Sequence, residues 1–177
     1  MTKSADSELR IARIEERSIV SLTLVHAVVD TARDRLALAA PLQATRADPS
    51  SLWVGPEHWL LVSGEQPVDI LLERCNKALG DILHIAVDQS SGLAVFRLEG
   101  YGARALLAAG SGVDFRPGGF KVNDCCRTRL ARIAVIIVAL DRNTFDVYVD
   151  SSYANYLHRW LDDEALAPDL PAAGGCQ

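Results

Sequence analysis

Eight consecutive apolar residues, "IAVIIVAL" (133–140), restrict most what this chain can fold into. The run is far shorter than the roughly 20 residues needed to cross a bilayer, so it has to be buried inside a fold. Its setting, "RTRLARIAVIIVAL" (127–140), is rich in β-branched residues and predicts one long strand or two short ones. "DRNT" then turns it into "FDVYVD" as an antiparallel partner. "DSSYANYLHRWLDD" (150–163) follows with helical spacing, its apolar set being Tyr153, Tyr156, Leu157, Trp160 and Leu161. Ser151 or Ser152 is the expected N-cap, because a hydroxyl there accepts from an orphan backbone N–H. The stripe is read as mainly core, with Trp160 or Tyr156 reaching an interface rim.

Upstream the pattern is mixed. "RSIVSLTLV" (17–25) predicts a strand, and "TARDRLALAA" (31–40) a short helix stopped by Pro41. In "SLWVGPEHWLLV" two apolar runs flank Gly55-Pro56, the punctuation of strand, turn and strand. Pro67 suits a helix start, and Leu71, Leu72, Cys75 and Leu79 then fall on one helical face. "DILHIAV" (81–87) and "GLAVFRLE" (92–99) are strands, and "GARALLAAG" (102–110) a helix closed by glycine. Helices alternating with strands, some of them antiparallel, make an α+β chain of split β-α-β, ferredoxin-like halves.

With 177 residues, a single domain over 8–164 is expected, with 1–7 and 165–177 as flexible termini. Net charge is -5, from 18 Lys+Arg against 23 Asp+Glu, so no surplus of cations exists to neutralise phosphates and nucleic acid is not a partner. The amino-terminal "MTKSADSELRIARIEERS" lacks the apolar stretch of a secretory signal or membrane anchor, which predicts a soluble, cytoplasmic protein without membrane partners. In that compartment Cys75, Cys125, Cys126 and Cys176 are expected as free thiols.

Local chemistry is sparse. "LEGYGARA" carries Gly-x-Gly-x-x-Ala between a strand and a helix, but Glu99 would set a negative charge against a pyrophosphate, so a flexible turn is the expectation. Cys125 and Cys126 are adjacent and lack the spacing of zinc ligands. Either could serve as a thiol nucleophile with His84 as its base; a structural role for all three is preferred. His58 and His158 have no sequence neighbour that marks a role. The segment 110–126, with Asp114, Arg116, Phe120 and Lys121, is a long aperiodic loop of the kind that contacts partners or is simply solvated. Trp53, Trp59 and Trp160 are core residues first and interface anchors second. No catalytic, cofactor-binding or metal residue is assigned.

Four stretches, "LWVGPEHWLLV", "DQSSGLAVFRLEGYGARALLAAGSGVDF", "CRTRLARIAVIIVAL" and "FDVYVDSSYANYLHRWLDD", resemble in order and spacing the gamma subunit of heterotetrameric sarcosine oxidase. That family resembles a reduced aminomethyltransferase, the glycine-cleavage T protein module that handles folate-bound one-carbon units. The module's Arg-Thr-Gly-Tyr-Thr-Gly-Glu and Gly-Phe-Glu segments are echoed here only by Arg127-Thr128 and Phe145-Asp146. The resemblance implies a small non-catalytic subunit of a flavin-dependent complex whose alpha, beta and delta subunits hold FAD, FMN and NAD. Such a complex oxidatively demethylates sarcosine to glycine and passes the one-carbon unit to tetrahydrofolate. The alternative is a free-standing folate-binding or one-carbon transfer protein.

Overall fold

A computed structural model describes residues 9–166. In chain order the first elements are β1 (Arg10–Ile14), β2 (Ser18–Leu24), α1 (Val29–Leu36), β3 (Ser50–Gly55), β4 (His58–Ser63), α2 (Val68–Leu79) and β5 (His84–Asp88). They are followed by β6 (Leu93–Glu99), α3 (Ala103–Gly110), β7 (Cys125–Leu130), β8 (Ile133–Asp141), β9 (Thr144–Asp150) and α4 (Ala154–Ala165). Two compact units result, one from residues 15–93 with 123–127, the other from 9–14, 94–122 and 128–166. The span 8–164 expected as one domain takes in both.

The unit of residues 15–93 runs β-α-β-β-α-β, and its four strands lie in the order β3-β4-β2-β5. That is the split β-α-β arrangement, with β2 flanked by β4 and β5, both antiparallel to it. Alternation in β2 sends Val20, Leu22 and Leu24 to one face, where they join Trp59, Leu61, Leu71, Cys75 and Leu79 in the core beneath α1 and α2. The α2 face read from the sequence is the face observed: Leu71, Cys75 and Leu79 are buried. Trp59 is core, its indole Nε1–H donating to the Ala39 carbonyl at 3.0 Å. Arg35 of α1 binds Asp81 and the Ala78 carbonyl, tying α1 to the end of α2. One helix boundary differs from expectation. α1 starts at Val29 and ends where Ala37 turns left-handed (φ 52) with its N–H on Arg33, so a backbone reversal and not Pro41 terminates it.

The second unit repeats the plan with a permuted chain. Its five strands lie in the order β1-β6-β9-β8-β7. Taking β6, β8 and β9 as the first three strands of a split β-α-β, the place of the fourth falls to β1, from the opposite end of the sequence. β7 adds a fifth strand beyond β8. The 127–140 stretch is thus two strands, β7 and β8, joined at Ala131 and Arg132, both with positive φ as a tight hairpin turn requires. β8 and β9 pair antiparallel from Val135–Val149 to Asp141–Thr144, as "DRNT" indicated. Phe96, Leu98, Leu106, Leu107, Phe145, Val147, Leu157 and Leu161 are buried in this unit.

The closing helix corrects two expectations. Neither serine is its cap: Asp150 accepts from the Ser152 N–H at 2.9 Å, opening a 3-10 turn over Ser151–Tyr153, and α4 begins at Ala154. The stripe is also less buried than predicted. Ala154, Leu157 and Leu161 form its inner face, whereas Tyr153 and Tyr156 are about half exposed. Trp160 packs over Gly110, where an added Cβ would lie 2.5 Å from the indole.

Candidate functional site

Polar chemistry in the second unit concentrates on β6 and β9, neighbours in its sheet. Arg97 of β6 grips Asp146 of β9 at both carboxylate oxygens: Nε to Oδ1 at 2.8 Å and Nη2 to Oδ2 at 2.9 Å. Asp146 is 3% exposed and is the one buried residue of the Asp, Glu, Lys and Arg types among those described. The bidentate fork matches a carboxylate in both charge and geometry. Hydrogen bonding to Asp146 raises the Arg97 pKa above its ordinary value against the opposing effect of burial, and the charges of Asp146 and Glu99 add to the rise. Arg97 therefore stays charged, and each side chain uses its strongest hydrogen-bonding face on the other.

A second arginine organises the 110–126 segment. Arg104, on α3, donates through Nη1 to the carbonyls of Phe115 (2.6 Å) and Phe120 (2.9 Å) and through Nε to that of Arg142 (2.7 Å). Its guanidinium also lies 5.0 Å from the centre of the Phe145 ring. Phe115 and Phe120 are buried and meet edge to face at 5.1 Å. The segment read as a loop is therefore wound around one cation and pinned by two aromatic rings. Asp114 and Arg116 form an exposed ion pair at its tip, and hydrogen bonds from Arg116 hold the Asp114 carboxyl down to about 2.

The cysteine and histidine candidates are not brought together as a nucleophile and base. Cys125 is buried with its S–H donating to the Trp53 carbonyl at 3.3 Å, and burial pushes its thiol up to about 12. Cys126 and Cys75 are pushed up to about 11, also mainly by burial. A thiolate nucleophile needs the opposite shift. His84 directs Nδ1 at the Ile82 carbonyl (2.8 Å) and Nε2 at the Asn76 amide oxygen (3.1 Å). His158 lies against the Phe96 ring at 5.4 Å and 3.6 Å from Asp162. The arrangement sequence reasoning missed is Ser21 with His58, whose Oγ and Nε2 are 2.9 Å apart on adjacent strands. Burial first and Arg127 second lower the His58 pKa, favouring the neutral ring, whose tautomer sets which of the two atoms donates. The signal was a serine and a histidine on neighbouring strands, and it becomes readable only once the register is known.

The Gly-x-Gly-x-x-Ala segment is a turn in which two amides are already used. Gly100 takes φ 109 and donates its N–H to the Asn143 carbonyl at 3.0 Å, and the Ala103 N–H donates to Gly100 at 3.2 Å. Among the described residues no group of three or more His, Cys, Asp or Glu side chains is placed to hold a metal ion. No helix among them is long and apolar enough to cross a membrane.

The chain shows clear kinship with known proteins. Residues 20–167 match the model of the sarcosine oxidase, gamma subunit family. The sarcosine oxidase gamma subunit of Corynebacterium sp. strain U-96 is 31% identical over 112 residues, covering 63% of this chain and 54% of that protein. The equivalent subunit of strain P-1 is 29% identical over the same shares. This chain thus matches about half the length of those relatives. A chain of the heterotetrameric sarcosine oxidase of Corynebacterium sp. U-96, solved with pyrrole 2-carboxylate, superposes with a TM-score of 0.79 at 25% identity, over 95% of this chain and 88% of that one. The glycine cleavage system aminomethyltransferase T of Bartonella henselae shares the fold, with a TM-score of 0.64 at 12% identity over 89% of this chain and 47% of that one. On a family match that spans most of its length, together with this agreement in fold, the chain belongs to the sarcosine oxidase gamma subunit family.

Proposed function

We propose that this chain is a structural, non-catalytic subunit of a flavin-dependent sarcosine oxidase complex. In it, alpha, beta and delta subunits hold FAD, FMN and NAD, oxidatively demethylate sarcosine to glycine and pass the one-carbon unit to tetrahydrofolate. The observation that carries the reading is the likeness, over nearly the whole chain, to a chain of a heterotetrameric sarcosine oxidase. The side chains support it. Asp146 is buried with each oxygen bonded to Arg97, which leaves little access for a folate ring. The Gly100 amide is bonded to the Asn143 carbonyl and the Ala103 amide to the Gly100 carbonyl, so neither points to a dinucleotide phosphate. The three described thiols are held protonated by burial.

Co-expression of the tagged chain with candidate partner subunits tests the proposal. Two or three larger, flavin-containing chains should co-purify with it in fixed proportion. Recovery of this chain by itself, or turnover of sarcosine by the pure polypeptide without flavin, overturns the reading. Calorimetric titration of the isolated chain with tetrahydrofolate separates out the alternative: heat of binding would mark a folate-binding protein in its own right.

A further inference from the structure

We draw no further inference here: the strongest candidate, the exposed apolar row of Leu83, Ile85 and Val87 along β5 at the end of the four-stranded sheet, is an unpartnered face, and nothing in the structure shows what covers it.

Discussion

Asp146, buried on β9, has both carboxylate oxygens held by the guanidinium of Arg97 on the neighbouring strand β6. Two opposite charges in the middle of apolar strands are tolerable only as a pair, since either one alone bears the cost of desolvation. Arg97→Met is expected to destabilise by about 3 kcal/mol and Asp146→Asn by about 2 kcal/mol, because the arginine keeps more access to water than the carboxylate does. Urea denaturation of the singles and of Arg97→Met/Asp146→Leu should show the double variant losing far less than the sum. Additive losses would mean that the pair is not coupled.

Arg104 is the pivot of the 111–124 segment. Arg104→Met removes three donors and leaves the Phe115, Phe120 and Arg142 carbonyls unpartnered. The expected loss is roughly 2–3 kcal/mol, with amide exchange around Phe115–Phe120 accelerating well before the rest of the unit opens. Hydrogen exchange by mass spectrometry reads this directly.

Gly110 sits where a side chain has no room. A Cβ there would lie 2.5 Å from the Trp160 ring and 2.9 Å from Leu130. Gly110→Ala should cost about 1–3 kcal/mol and shift Trp160 fluorescence, whereas the larger space around Gly112 should accept alanine with little change.

The buried thiols make alkaline pH the destabilising direction. Cys75, Cys125 and Cys126 have folded pKa values of about 11, 12 and 11, above the ordinary 9.0, so the folded state favours the protonated thiol. Their contribution is complete below pH 9 and is lost as pH rises from 9 through 11 to 12. Melting temperature should fall over that window. At pH 8 these three thiols should react with iodoacetamide much more slowly than in denaturant, and rapid labelling of Cys125 or Cys126 would contradict the assignment.

At the acidic end the tip of the 111–124 segment responds. Asp114 is held at about 2 by Arg116, so the clip between them is intact above the ordinary carboxylate value of 3.8 and opens as pH falls through 2. The Arg116 Nε–H resonance should keep its bonded shift at pH 4 and lose it near pH 2. An unchanged shift at the lowest pH would rule out the clip.

Much of this architecture was readable from periodicity. The β-branched runs of β8 and β9 and the spacing of Leu71, Cys75 and Leu79 each specify a face without outside help. β1 was not readable, because "RIARI" is a poor strand by itself and gains its place only by pairing with β6, far along the chain. The cap was expected at Ser151 or Ser152 and lies at Asp150, because all three side chains are competent caps and only the 3-10 backbone at Ser151–Tyr153 decides among them. The Arg97–Asp146 pair left a trace that went unused: one charge in the centre of "VFRLE" and one in "FDVYV", each in an otherwise apolar strand. A lone charge in such a setting predicts a partner of the other sign.

During synthesis Arg10 leaves the ribosome long before Glu99, the residue it will face. β1 must therefore travel with its hydrogen-bonding groups satisfied by water or by a chaperone until β6 emerges, and the permuted sheet cannot close until most of the polypeptide has been translated. A ribosome stalled before β6 would display that strand as an unpaired, holdase-accessible segment.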